Sequence, residues 1–261
     1  MGIEDAMQRE WNERARKDAF YYIASWRKDW NPSTFFASGE EDYKRLVAPV
    51  MQRYGFSPSG KTMLELGCGA GRMTPSFAEH FYRVIACDIS EEMIERAQNL
   101  LATTTNVIWV RSNGISLAGI AEGSVDFVFS YLVLQHLPDE VLVEYYIREA
   151  IQVLQPGGLC LFQWNGTDHQ NMNWRGRLAW GLIDGIWKLR MERTSRAVAR
   201  ALDLDPQMAG KSWHGVALPA ARIATTVRRF GGEVLEMRDE NTPMAWCCAK
   251  RLTSTGPKMN S

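Results

Sequence analysis

The amino-acid sequence predicts an α/β fold, a doubly wound and mostly parallel sheet with helices on both faces. Three observations carry that prediction. Short apolar segments alternate with helical ones between residues 62 and 164, a rhythm that builds parallel strands joined by crossover helices. The first apolar segment runs into closely spaced glycines at Gly67, Gly69 and Gly71. The second, Val84-Ile85-Ala86-Cys87, closes on an acidic residue, Asp88.

The elements follow in order. Residues 3–30 carry Trp11, Ala15, Phe20, Tyr22 and Trp26 at roughly helical spacing, and Asn31-Pro32 is expected to stop them. A second helix is expected over 40–54, ending near Gly55. Strands are expected near 62–67, 83–88, 107–111, 125–130 and 158–164, with helices near 72–81, 90–102 and 138–154. Ser90, just ahead of Met93 and Ile94, has the chemistry of an N-cap. Residues 219–230 read as a helix closed by Gly231-Gly232. Two further strands, 234–237 and 245–249, are separated by Asn241-Thr242-Pro243.

Length and charge set bounds. A chain of 261 residues can build one large α/β domain with a small appendage. Thirty basic and thirty acidic residues leave no net field to gather a polyanion, which disfavours broad nucleic-acid binding. Cys68, Cys87, Cys160, Cys247 and Cys248 fall mostly in expected strands without metal-ligand spacing, so reduced buried thiols in a cytoplasmic protein are expected. No stretch has the length and apolarity of a signal or membrane-spanning segment.

A strand that ends in glycines lets backbone approach a ligand where a Cβ would collide, and the next helix aims free N–H groups at it. An acidic side chain closing the neighbouring strand can take both hydroxyls of a ribose. These features predict an adenosine-containing cofactor. A dinucleotide fingerprint would need a third glycine where Arg72 stands, and no Gly-Lys-Ser/Thr follows as a phosphate loop would require. What stands instead is Glu65-x-Gly67-x-Gly69-x-Gly71.

That run resembles motif I of the class I, Rossmann-like, S-adenosylmethionine-dependent methyltransferases. Arg111-Ser112-Asn113-Gly114-Ile115 stands where the family places Gly-Asp-Ala, residues 125–138 resemble its motif IV region, and Leu154-Gln155-Pro156-Gly157-Gly158 resembles its turn before the fifth strand. The resemblance implies a seven-stranded sheet with a reversed last strand, N-terminal helices and a helical cap insertion. It also implies S-adenosylmethionine as cofactor. Gly67, Gly69 and Gly71 would let the backbone pass the methionine and ribose portions, Glu65 would reach the amino group through backbone or water, and Asp88 would hold the ribose diol. Ile89 and Ile115 would flank the adenine, with Asn113 accepting from its amino group and Gly114 supplying an N–H. Cys68, Met93, Ser130 and Tyr131 are the further expected contacts, and Tyr22 is expected to close the site from the amino-terminal segment.

The resulting organisation is an N-terminal helical cap segment at 1–56, a methyltransferase core at 57–164 and 216–253, a helical insertion at 165–215 and a tail at 254–261. The insertion interleaves apolar residues with arginines. A substrate cap, a membrane-surface helix at 174–200 and a helix packed on the sheet or in a dimer interface all fit that pattern. Monomer and homodimer both remain open.

Methyl transfer from a sulfonium needs alignment and exclusion of water more than covalent help. Where the acceptor is a hydroxyl, His136 and His214 are the candidates for a general base or for substrate positioning. No Asn/Asp-Pro-Pro-Tyr follows the fourth strand, unlike in amino-directed nucleobase and glutamine methyltransferases; separately, no carboxylate cluster suits a divalent metal, so no metal is expected. The leading expectation is methylation of a small, apolar or aromatic metabolite at oxygen, nitrogen or sulfur. RNA methylation using the basic 175–200 segment and a cofactor-binding scaffold without turnover are the alternatives.

Overall fold

The computed structural model describes residues 3–117, 119–167, 201 and 215–253. Its strands are β1 (Thr62–Leu66), β2 (Arg83–Asp88), β3 (Val107–Arg111), β4 (Val125–Ser130), β5 (Leu154–Trp164), β6 (Gly232–Arg238) and β7 (Ala245–Arg251). They form one sheet in the order β3-β2-β1-β4-β5-β7-β6. β1 to β5 pair in parallel, whereas β7 lies antiparallel to both β5 and β6. The expected seven-stranded sheet with a reversed last strand is therefore present.

The alternation within each strand decides which layer it feeds. Leu64 and Leu66 of β1, Val128 of β4 and Cys160 and Phe162 of β5 enter one apolar cluster. There they meet Ile147 and Ile151 of α6 (Glu140–Val153) and Ile223 and Val227 of α7 (Ala220–Arg229). Met63, Phe127, Phe129, Leu159 and Leu161 point the other way. They pack against Val50 and Met51 of α3 (Ala48–Arg53) and Phe77 of α4 (Thr74–His80). All six residues of β4 are buried, as a central parallel strand requires. Asp126 tolerates this because Lys61 Nζ and the Thr62 N–H donate to its carboxylate at 3.0 and 2.9 Å.

Three expectations need correction. Helix α1 (Ile3–Ile23) ends well before residue 30. Asn31-Pro32 does not stop a helix but starts one: Asn31 Oδ1 accepts the Thr34 N–H at 3.0 Å, and Pro32 occupies the first turn of α2 (Pro32–Asp42). The helix expected over 40–54 is the tail of this longer helical stretch, which passes through one π turn at Tyr43–Val47 into α3. β5 also starts earlier than residue 158, because Leu154 already pairs with Val125, and the extra residues of the register shift lie in β5 between Leu154 and Leu159. Ser90 does cap α5 (Glu91–Leu100), accepting the Met93 N–H at 3.2 Å.

Candidate active site

The strand order reverses between β1 and β4, and in such sheets ligands bind beyond the carboxyl ends of the strands at that switch point. A cavity of about 270 Å³ lies there, reached by the ends of β1, β2 and β4.

The glycine turn forms its floor. Gly67, Gly69 and Gly71 all have left-handed backbone, at φ +79, +53 and +82°. A Cβ on Gly67 would stand 2.1 Å from Val133 Cγ2, and one on Gly69 would stand 2.7 Å from Ile23 Cδ1. Two constraints, dihedral and space, thus select glycine at each. The N–H groups of Gly67 and Cys68 both donate to Cys87 O, at 2.7 and 3.0 Å, which stitches the turn onto β2. The next link is acidic. Asp88 Oδ2 accepts the Gly69 N–H at 2.9 Å and Oδ1 accepts the Ser90 N–H at 2.8 Å. Each carboxylate oxygen keeps lone-pair capacity beyond these bonds. Burial raises the Asp88 carboxyl above its ordinary range, and these backbone donors pull it back down.

Glu65 sits deeper. Burial pushes its carboxyl up to about 8, against the lowering effects of Thr74, whose hydroxyl donates at 2.6 Å, and of Arg72. Arg72, the residue that spoils a dinucleotide fingerprint, is itself buried. It pairs with Asp42 at 2.8 Å, donates to Ser38 O at 3.1 Å, and lies under Trp26 and Tyr131 at 5.4 and 5.8 Å. It pins α2 and two aromatic rings of the cavity wall to the glycine turn.

The amino-terminal helix closes the cavity from above. Asp18 breaks α1 with extended dihedrals, φ −167 and ψ 91°. Its Oδ1 caps the following turn by accepting the Tyr21 N–H at 3.0 Å. The break swings Tyr22 and Ile23 over the glycine turn. Farther back, Asn12 Oδ1 accepts from Ser90 Oγ at 2.7 Å and Arg16 pairs with Glu92 at 2.6 Å. The helix is thereby docked on α5 beside Asp88. Met7, Trp11, Trp26 and Met244 give the remaining wall its apolar character, with Trp26 58% and Met244 37% exposed at the mouth.

Of the residues expected from the sequence, Glu65, Gly67, Cys68, Gly69, Asp88, Ile89, Met93, Tyr131, Tyr22 and His136 line the cavity. Gly71, Asn113, Gly114, Ile115 and Ser130 do not. Gly71 shapes the turn from behind, where its Cβ would meet Leu101 Cδ1 at 2.9 Å. Asn113 Oδ1 is committed to the N–H groups of Ile115 and Ser116, at 3.0 and 2.8 Å, in a local turn. Ser112, one residue earlier, faces the cavity instead. His214 and the basic 175–200 segment lie outside the described residues. The cavity residues that sequence reasoning missed, such as Met7, Leu132, Gln135 and Met244, come from segments with no motif of their own. Leu132, with φ +60°, is a left-handed non-glycine residue in the wall.

The cavity thus lies at the switch point of a Rossmann-like sheet, over a glycine turn and a buried carboxylate. Residues 64–162 match the family model of a methyltransferase domain. The chain is similar to 2-methyl-6-phytyl-1,4-hydroquinone methyltransferase of Synechocystis sp., 28% identical over 44% of this chain and 36% of that protein. It is also similar to the ubiquinone biosynthesis O-methyltransferase of Xanthomonas axonopodis pv. citri, 29% identical over 47% of this chain and 52% of the relative. The matched region therefore spans about a third to a half of these two relatives. Among solved structures, magnesium protoporphyrin IX methyltransferase from Synechocystis, with bound S-adenosylhomocysteine, shares the fold. Its TM-score is 0.58 at 17% identity, covering 95% of this chain and 98% of that one. Residues 64–162 are thus a methyltransferase domain by sequence, set in a fold shared with S-adenosylmethionine-dependent methyltransferases.

The residues present fit that cofactor. Gly67 and Gly69 put bare backbone in the cavity floor beside Val133 and Ile23, Asp88 offers carboxylate lone pairs at the end of β2, and aromatic rings surround the rest. Among the described residues no cluster of His, Cys, Asp or Glu suits a metal ion. No described helix is long and apolar enough to cross a membrane.

Proposed function

We propose that this protein transfers a methyl group from S-adenosylmethionine to a small, apolar or aromatic acceptor at oxygen, nitrogen or sulfur. The observation that carries the reading is the pairing of Asp88, held by the Gly69 and Ser90 N–H groups, with an otherwise largely apolar and aromatic cavity. When bound, the cofactor supplies an activated methyl group on a sulfonium. The chain's own residues then have three tasks. Asp88 and the glycine turn fix the nucleoside end. Tyr22, Trp26 and Tyr131 wall the cavity with apolar ring surface and exclude water. The Val133–His136 stretch forms the wall where an acceptor would be aligned. The aromatic quinone-type and porphyrin substrates in the names of the relatives agree with such a lining.

The test is calorimetric titration with S-adenosylhomocysteine, with Asp88→Ala as control. A hydrogen bond to a charged group contributes about 1.5–3 kcal/mol, so the variant should bind about tenfold to a hundredfold more weakly. No heat with the native protein would refute the reading. Binding followed by failure of every aromatic or apolar acceptor tried would favour a cofactor-binding scaffold.

A further inference from the structure

Gln163 lies on β5, fully buried and outside the cavity lining, yet its carboxamide reaches three segments of the cavity wall. Its Oε1 accepts the N–H of Leu132 at 3.1 Å. Its Nε2 faces Pro243 O at 2.7 Å, Gln135 Oε1 at 2.9 Å and Trp164 O at 3.0 Å. A backbone N–H can only donate and carbonyl oxygens can only accept, so this carboxamide has one permitted orientation.

That polarity propagates. Gln135 Oε1 is the acceptor from Gln163, so Gln135 Nε2 is the atom that stands 3.2 Å from His136 Nε2. An amide nitrogen only donates, which makes His136 Nε2 an acceptor and places the proton of the neutral ring on Nδ1. Turning the His136 ring over would set a C–H group against the amide and lose the bond. The relay runs in one direction: Leu132 N–H to Gln163, Gln163 to Gln135, Gln135 to His136.

We propose that Gln163 is a positioning residue for the acceptor end of the cavity. One buried carboxamide holds the left-handed turn at Leu132, seats Pro243 beside the wall residue Met244, and through Gln135 fixes the tautomer of His136. His136 is then a ring oriented by the bond from Gln135 to its Nε2. The acceptor end is that of the proposed methyl transfer, whereas the tautomer is independent of it.

The test is nitrogen NMR of protein labelled in its histidines, near neutral pH, with His136→Asn to assign the signals. The expected native spectrum shows His136 protonated at Nδ1 and bare at Nε2. Gln135→Leu removes the last link, and Gln163→Glu replaces the donor with a carboxylate that must face the oxygens of Gln135 and Pro243. Both should move His136 toward the Nε2-protonated form. A native His136 protonated at Nε2, or native shifts retained in Gln135→Leu, overturns the proposal, and neither result needs Gln163→Glu to fold. Adding S-adenosylhomocysteine to the same samples separates the two ideas: absent binding refutes the cofactor reading while the tautomer result stands.

Discussion

Replacing Gly67 by alanine puts a Cβ 2.1 Å from Val133 Cγ2 at a backbone φ of +79°. The dihedral alone costs an L-residue about 1–2 kcal/mol. The overlap must be relieved by moving a cavity-wall side chain or the turn itself, which costs about 1–3 kcal/mol more in a packed site. Gly55 supplies the control, because its φ is +63° and a Cβ there meets nothing within 4 Å. Gly55→Ala should therefore lose about 1–2 kcal/mol and Gly67→Ala about 2–5 kcal/mol in urea unfolding. The excess should be recovered in part when Val133→Ala is added to Gly67→Ala, a coupling that a double-mutant cycle reads directly. Equal losses for the two glycine variants, or a cycle with no coupling to Val133, would show that the turn does not close against that wall.

Three other perturbations follow from the site. Burial raises the Glu65 carboxyl to about 8, so the folded state holds a proton there that the unfolded chain releases above about 4.5. Its contribution to stability is fully present below that lower value and is lost as pH rises to about 8, and Glu65→Gln should flatten the fall in urea midpoints across that range. Arg72→Met breaks a buried pair, a class of change that costs about 3–5 kcal/mol; because Asp42 keeps Arg45 at 2.5 Å, a loss near the lower figure is expected by the same unfolding measurement. Asn113→Ala should cost about 0.5–1.5 kcal/mol of stability, through the turn it caps, while calorimetry finds S-adenosylhomocysteine affinity little changed.

The alternation of strands and helices was legible because each strand in the middle of the sheet is buried on both faces and reads as an apolar run. The helix beginning at Pro32 was not, since Asn31-Pro32 signals an end and a beginning with the same two residues. Deciding between them needs the Thr34 capping box to be recognised. The kink at Asp18 was equally hidden: aspartate inside a helical pattern is unremarkable until its side chain caps the next turn. At the site, glycines and Asp88 were legible because backbone geometry and a carboxylate leave few substitutes. The place of Asn113 after the third strand suggests an adenine contact, whereas in the fold its Oδ1 accepts the Ile115 and Ser116 N–H groups of its own turn.

Arg72 joins these observations. Its position argued against a dinucleotide, which is a statement about what a close helix–strand contact forbids. The structure shows what the side chain does instead: it reaches through the glycine turn to Asp42 and Ser38, and Gly39 lets α2 come close enough to receive it, since a Cβ there would stand 1.9 Å from Arg72 O. The same guanidinium lies under Trp26 and Tyr131, so the sheet, α2 and the aromatic wall share one buried charge. Gln163 does the corresponding work on the other side of the cavity with a neutral amide. The glycine turn is thus set by backbone geometry that a sequence displays, whereas the walls on either side are held by two buried polar side chains with no motif to announce them. That division explains why the cofactor could be read from the sequence and the acceptor could not.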